Sequence, residues 1–401
     1  MKNADTPCHP KIFFFFSGAF VARENGAHWR AFSSLRFLLD SGFDVAVYSY
    51  RNDQIRPWQT SDEDLFAKVF PEASLYLDHQ SQPLRLLAKI KKLVTGLLPG
   101  QASKIARLTL PGCSPAYHKL LKDGYVTPYI NYATSALDIN GIHLTDTIID
   151  THDILFVQLA KRSKHRIFAM RVVHKFRTEM SLLENSALAI SIATADANLF
   201  RLCLNDHPVL FIANFPNVTL EKMRVPNAPN GRLLFVGSDN PFNVEGLVGF
   251  LNANQSLVEL FGLDVAGKVS LHPALKAFDG LIPNLRLLGF VDNLDALYAS
   301  VRAVISPVDG TGIKIKVLEA LAAGVPVFAS EHTIQGLPIG HEGCVFPIDG
   351  TMAEVLVDIP RLEQASVIAR RWFDGLSETP DLKILVSELR RLTARSLIDK
   401  L

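Results

Sequence analysis

Residues able to do chemistry are densest between Ser306 and Ser330, in Ser-Pro-Val-Asp-Gly-Thr-Gly-Ile-Lys-Ile-Lys-Val-Leu-Glu-Ala-Leu-Ala-Ala-Gly-Val-Pro-Val-Phe-Ala-Ser. An apolar run ends at Ser306, a loop with Gly310 and Gly312 follows, and helical spacing starts near Ile313. A glycine loop at a helix N-terminus offers backbone N–H groups and the positive end of the helix dipole to a phosphate. Lys314 and Lys316 add side-chain charge there. Lysines oppose the dipole in a first turn, so the helix alone gains nothing from them and an anionic ligand explains them. Glu319, three residues after Lys316 and on the same face, could accept hydrogen bonds from a ribose diol while Lys316 meets a diphosphate. The same pair also reads as an ordinary surface ion pair, worth a few tenths of a kcal/mol. Leu318, Leu321 and Ala322 point the other way, and Gly324 ends the helix just before the next apolar run.

Two other stretches stand at strand ends. Ile149-Asp150-Thr151-His152-Asp153 closes a strand at the edge where α/β sheets bind ligands. His152 there either faces a ligand or closes the strand end, and Asp153 serves equally well as the cap of the following helix. Gly237, in Leu234-Phe235-Val236-Gly237-Ser238, either admits a ligand close to the backbone or simply ends a strand. Glu179 and Glu184 read as solvated helix residues.

The elements that position these residues follow from hydropathy. Continuous apolar runs, the mark of parallel strands covered on both faces, occur at Ile12–Phe16, Val45–Tyr50, Thr147–Ile149, Arg166–Met170, Leu188–Ile192 and Val209–Ala213. A second block has Leu233–Val236, Val269–His272, Leu285–Leu288, Ala303–Ser306, Pro326–Ala329 and Cys344–Pro347. Helical spacing lies between them, as at Arg30–Leu39 and Asn243–Leu251. Strand, helix, strand, repeated in two blocks, predicts two doubly wound α/β domains. Asn217, Pro226, Asn227, Pro229, Asn230 and Gly231 mark the linker. The expected division is an N-terminal domain over 1–218, a linker over 219–231, a second domain over 232–375 and a C-terminal helix over 376–401.

Composition excludes several classes. The 401 residues carry 41 Lys+Arg against 40 Asp+Glu, a net charge of +1, which lacks the basic footprint of a nucleic-acid binder. With 48% hydrophobic and 20% charged residues the chain is not disordered. Four scattered cysteines without a C-x-x-C pair form neither a zinc motif nor a disulfide framework, and a reducing, cytoplasmic setting is expected. Ile12–Phe16 is too short for a signal core or a membrane span. Leu84–Leu98 departs from the α/β rhythm: it has Arg85, Lys89, Lys91 and Lys92, no acid, and bulky apolar residues between them. Such a helix covers a core and leaves a solvated basic edge, or it lies in a membrane interface, here the inner face of the cell membrane.

The phrase from Gly312 to Val327, with its glycine loop, Lys316, Glu319 and Ala323-Gly324-Val325-Pro326-Val327, resembles the nucleotide-binding phrase of the GT-B glycosyltransferases. The likeness is to the retaining E-x7-E, family 4-like enzymes of glycosyl transferases group 1. The resemblance implies two Rossmann-like doubly wound domains facing across a cleft, the donor in the second and the acceptor in the first. It also implies that Lys316 contacts a donor diphosphate and Glu319 the ribose, with Gly312 and Lys314 beside them. Gly237 and Ser238 resemble the turn facing the donor phosphates, and Gly289-Phe290-Val291-Asp292 the loop that borders the base. Gly18, in Ser17-Gly18-Ala19-Phe20, resembles the first glycine loop. The family places a His near the reacting sugar, which makes His152 a hydrogen-bond donor and Asp153 or Asp150 a candidate base. The first glutamate of E-x7-E falls at Thr311, a departure that looks like a subfamily feature. The implied activity is transfer of a sugar from a nucleotide-sugar to an acceptor hydroxyl, a saccharide or a lipid-linked one, in bacterial surface polysaccharide or glycoconjugate synthesis. No metal or other cofactor is expected. A nucleotide-sugar 2-epimerase and a catalytically silent nucleotide-binding subunit share the architecture and stay open as alternatives.

Overall fold

The computed structural model describes residues 9–162, 169–215, 231–291, 293–309, 313–376 and 378–398. The chain forms two compact units. Unit 1 takes the residues up to Ile192, then Asp196–Pro216 and the segment from Thr379 onward, and unit 2 takes Asn217–Glu378 together with Ala193–Ala195.

Unit 1 is built on a seven-stranded sheet: β1 (Lys11–Phe15), β2 (Asp44–Tyr50), β3 (Ser74–Asp78), β4 (Thr127–Asn131), β5 (Ile148–Asp150), β6 (Leu188–Ser191) and β7 (Val209–Phe211). The order is β3-β2-β1-β4-β5-β6-β7, and every neighbouring pair is parallel. Alternate side chains of β1 feed different cores. Ile12 and Phe14 pack with Val45, Val47, Leu35 and Leu38, whereas Phe13 and Phe15 pack with Ala46, Tyr48, Tyr117 and Leu120. Burial on both faces is why the run shows no polar alternation.

The helices that bear on the site in this unit are α1 (Gly26–Asp40), α2 (Gln82–Leu97), α3 (Leu155–Arg162) and α4 (Met170–Glu184). In unit 2 they are α5 (Pro241–Ala253) and α6 (Ile315–Ala322). The last helix, α7 (Pro380–Ile398), returns to unit 1 and inserts Leu382, Leu385, Leu389 and Leu392 into the core beneath β1 and α1.

Unit 2 has a six-stranded parallel sheet of β8 (Arg232–Val236), β9 (Leu263–Ala266), β10 (Leu285–Gly289), β11 (Val301–Ser306), β12 (Val327–Ala329) and β13 (Val345–Pro347), in the order β10-β9-β8-β11-β12-β13. Strand order reverses between β1 and β4 in unit 1 and between β8 and β11 in unit 2. At such switch points, outside the carboxyl ends of the strands, open α/β sheets bind their ligands.

One of the expected strands takes another form, and another, Arg166–Met170, lies mostly outside the described residues. Val269–His272 falls on a 3-10 turn over Lys268–Leu271, started by Gly267 at φ +94°. Met170 opens α4, while 166–168 lie outside the described residues. Among the described residues, no helix is long and apolar enough to cross a membrane.

Candidate functional site

At the switch point of unit 2 the loop after β8 is tied down by its own side chains. Asn240 caps α5, its Oδ1 accepting from the Asn243 N–H at 2.9 Å, and the Asn243 amide donates to the Ser238 carbonyl at 2.9 Å. Gly237 is buried, and a Cβ there would lie 2.8 Å from the Phe235 ring and 3.0 Å from the Asn243 amide. Its lack of a side chain therefore lets the loop close on α5. The loop after β11 is held from the other side. The Val308 carbonyl accepts from Ser330 Oγ at 2.8 Å and from Thr333 Oγ1 at 3.0 Å, and a Cβ at Gly246 of α5 would come 2.1 Å from the Pro307 carbonyl oxygen. Two glycines thus press the loops after the two switch strands against one helix.

Gly310, Thr311 and Gly312 lie outside the described residues. Lys314 occupies the N-cap of α6 and Lys316 its first turn. Lys316 Nζ donates to Glu319 Oε1 at 3.0 Å and Oε2 at 2.8 Å, with the lysine about one third exposed. Glu319 is buried, at 2% exposure, and also accepts from the buried Tyr298 hydroxyl at 3.2 Å. Burial, reinforced by the Glu319 carboxylate, holds the Tyr298 hydroxyl well above its ordinary pKa, so it stays a donor. The pair is therefore not the solvated i,i+3 bridge that spacing alone allows: one partner is inside, oriented from two sides, and the other reaches outward. Gly324, at φ +73°, ends α6.

In unit 1 the loop after β1 packs on the loop after β2. A Cβ at Gly18 would sit 2.4 Å from the Arg56 carbonyl oxygen, which accepts from the Ala19 N–H at 2.9 Å. His152, after β5, is buried at φ +58°. Its Nε2 lies 2.8 Å from Asn131 Oδ1, and the Asn131 amide nitrogen donates to the Phe15 carbonyl at 2.9 Å. With the amide so oriented, the imidazole proton sits on Nε2 and the lone pair on Nδ1. The ring stacks on Tyr132 with centroids 4.4 Å apart. Burial pushes the His152 pKa down to about 4, so the ring is neutral at physiological pH. The donor foreseen at His152 is thus spent on Asn131, and the nitrogen left for other chemistry is an acceptor.

Asp150 is fully buried between Arg30 (Nε to Oδ2 at 2.9 Å, Nη2 to Oδ1 at 3.3 Å) and the Tyr129 hydroxyl (2.8 Å). That arrangement makes it a tie among α1, β4 and β5 rather than a base. Asp153 is half-buried, its N–H on the Thr151 carbonyl at 2.7 Å. The first N–H groups of α3, at Leu155 and Phe156, are taken by Glu179 Oε1 and Oε2 at 3.0 and 3.1 Å. Glu179 is wholly buried rather than solvated, and burial raises its pKa above the usual carboxylate range. Its partners are twenty-four and twenty-three positions upstream, beyond the reach of helical spacing. His28, at the start of α1, is likewise buried and pushed down to about 4 by its burial. Gly18, His152 and Asp153 thus gather at one sheet edge of unit 1, and Gly237, Ser238, Lys314, Lys316 and Glu319 at the corresponding edge of unit 2.

Residues 230–359 match the family model "Glycosyl transferases group 1". No curated protein matches the sequence. Among solved structures, sucrose-phosphate synthase from Thermosynechococcus elongatus is similar at a TM-score of 0.67 and 16% identity, covering 96% of this chain and 98% of that one. Anabaena HepE, solved with UDP, is similar at 0.57 and 13%, covering 97% and 100%. A TarM variant from S. aureus, solved with fondaparinux, α-GlcNAc-glycerol and UDP, is similar at 0.59 and 9%, covering 96% and 99%. With two parallel-sheet α/β units of seven and six strands, the chain has the fold of the GT-B glycosyltransferases, and its second unit carries the match to glycosyl transferases group 1.

Proposed function

We propose that the chain transfers a sugar from a nucleotide-sugar to an acceptor hydroxyl, with unit 2 holding the donor. The observation that carries this reading is the Tyr298–Glu319–Lys316 cluster beside the β8 and β11 switch point, inside the segment that matches glycosyl transferases group 1. An ionised carboxylate offers about four lone-pair sites. Glu319 can therefore accept from a ribose diol on the sites that Lys316 gives up when it turns toward a diphosphate, while Tyr298 holds the carboxylate in place. Lys316 is free to pivot on its partly exposed stem toward a diphosphate.

As the glycosidic bond breaks, negative charge grows on the departing diphosphate. The ammonium of Lys316 and backbone N–H groups at the start of α6 stabilise that charge without reorganising, which is where electrostatic catalysis is strongest. The proposal calls for no metal, so a chelator should leave activity unchanged. On this reading the unit 1 edge serves the acceptor, and a hydroxyl donating to the His152 Nδ1 lone pair is the role we propose for that residue. Retention of configuration, a hexosyl donor and a place in bacterial surface polysaccharide or glycoconjugate synthesis, in the cytoplasm, complete the proposal.

The test is calorimetric titration with UDP, GDP, dTDP and CMP, UDP first because HepE was solved with it. Lys316→Met should weaken binding of the recognised nucleotide at least about tenfold; because it leaves the buried Glu319 carboxylate only the Tyr298 hydroxyl, it should also lower the melting temperature, so the titration is run well below the unfolding midpoint of the variant. Wild-type affinity in Lys316→Met would remove the site. Conversion of the nucleotide-sugar to its epimer, with no net release of nucleotide, would favour an isomerase instead.

A further inference from the structure

The helix α2 is turned inside out. Its inward face carries Leu84, Ala88, Lys91 and Thr95, all buried. Lys91 is fully enclosed and donates to the backbone carbonyls of Ala106 at 3.1 Å and Ile139 at 2.9 Å. Small residues on this side allow a close approach to α4: a Cβ at Gly96 would fall 2.3 Å from the His174 ring, and His174 Nε2 meets the Leu93 carbonyl at 2.9 Å. With the inner face so committed, Leu86, Ile90, Leu93 and Leu97, spaced as one stripe along the helix, face outward at 59%, 44%, 55% and 57% exposure. Neither a core-covering helix nor a solvated surface helix has this arrangement, because large aliphatic residues normally turn inward and charge turns outward.

Along this stretch of the chain the charge is of one sign, and Asp138, which meets the helix from another element, is paired with Lys92 at 2.7 Å. From Asp78 to Asp123 the sequence has no acidic residue in between, yet it has Arg85, Lys89, Lys91, Lys92, Lys104, Arg107, Lys119 and Lys122. Lys89, Lys104 and Arg107 are exposed, and Arg177 of α4, also exposed, reaches the Leu97 carbonyl at 3.3 Å. An apolar stripe flanked by cations fits one partner chemistry: acyl chains beneath an anionic headgroup layer. We propose that the outer face of α2 docks on an anionic lipid bilayer, the helix lying in the plane of the interface with Leu86, Ile90, Leu93 and Leu97 below the phosphates and Lys89 among them. The site is distinct from the nucleotide-binding cluster, and vesicle binding needs neither donor nor transfer, so each reading can fail without the other.

The test is co-sedimentation of the full chain with phosphatidylcholine vesicles, with and without about one third phosphatidylglycerol, at low and high salt. The chain should pellet with the anionic vesicles and largely stay in solution with the neutral ones, and salt should weaken the binding. Ile90→Glu with Leu93→Glu should lower the partition coefficient at least about tenfold. Lys89→Ala should lower it about fivefold, as expected for one cation near an anionic surface. These side chains are exposed, so an unchanged melting temperature certifies that the variants are folded. Failure of the wild type to pellet, or equal pelleting of the Glu variant, would overturn the proposal. So would a dimer in light scattering that the Glu substitutions dissociate while no vesicle binding is seen, since the stripe would then be covered by a second copy.

Discussion

Asp150→Asn isolates the cost of orphaning a buried charge in unit 1. The substitution keeps the volume of a fully enclosed side chain but replaces one acceptor oxygen with an NH2 group. Three donors converge on Asp150, namely Arg30 Nε, Arg30 Nη2 and the Tyr129 hydroxyl, at 2.9, 3.3 and 2.8 Å. An amide cannot accept from all three and carries no charge, so the guanidinium, 3% exposed, loses its counter-ion and keeps the Ile212 carbonyl at 2.8 Å, the Phe215 ring at 4.3 Å and at most the remaining amide oxygen. Removing one partner of a buried pair costs about 3–5 kcal/mol, a large share of the roughly 5–15 kcal/mol that holds a domain together.

Urea unfolding followed by tryptophan fluorescence measures this cost. In a Trp372→Phe background the signal comes from Trp29 and Trp58, both in unit 1, which avoids treating a two-unit chain as one transition. With a urea slope of about 2–3 kcal/mol per molar for a unit of this size, the midpoint should fall by about 1–2 M. A fall below about 0.3 M would refute the assignment, most directly if the stable variant had also lost all transferase activity, because Asp150 would then be a base. Arg30→Met with Asp150→Leu, which removes both charges, should recover most of the loss. If the double variant is no more stable than Asp150→Asn, the cost lies in packing and the argument from orphaned charge is wrong.

Acid should destabilise unit 1 through His28 and His152. Both imidazoles are held near pKa 4 by burial, whereas the unfolded chain titrates near 6.5. Between those values the unfolded state binds protons that the folded state refuses. Stability is therefore full above pH 6.5 and is lost as pH falls toward 4, on the order of 3 kcal/mol for each histidine. His152→Gln should flatten the decline in urea midpoint between pH 7 and 5, and an unaltered slope would contradict the account. In unit 2, Gly246→Ala would push a methyl group into the Pro307 carbonyl, so Trp372 fluorescence should report a loss of about 1–3 kcal/mol, with weakened nucleotide binding. Unchanged stability would show that α5 and the loop after β11 can part without cost.

Much of this architecture was legible in the sequence, for reasons specific to each element. Strands β1, β8 and β11 are buried on both faces and read as unbroken apolar runs. Strand β3 sits at the sheet edge, half exposed, and its Ser74-Leu-Tyr-Leu-Asp78 looks like a turn-bounded fragment. Strand β4 is buried throughout but contains Pro128, which sequence rules send to an edge, and β9 hides behind Asp264, whose charge is met by Arg232 at 2.7 Å. The phrase around Lys316 and Glu319 was legible because its chemistry is local. The burial of Glu319 was not, since Tyr298 arrives from another element. The cap that Glu179 provides for α3 and the inverted seating of α2 were hidden for the same reason. Both depend on backbone groups brought close by the fold, and periodicity carries no information about which carbonyls will be waiting for Lys91.

The placement of α7 bears on the order in which a ribosome can finish this protein. The core beneath β1 and α1 closes only when Leu382, Leu385, Leu389 and Leu392 arrive, after the whole of unit 2 has been synthesised. At roughly 5–20 residues per second, that is a wait on the order of ten seconds. Unit 1 therefore emerges first but is completed last, while unit 2, nearly continuous in sequence, can fold first. During that interval the open apolar face of unit 1 is the part of the nascent chain most in need of a chaperone.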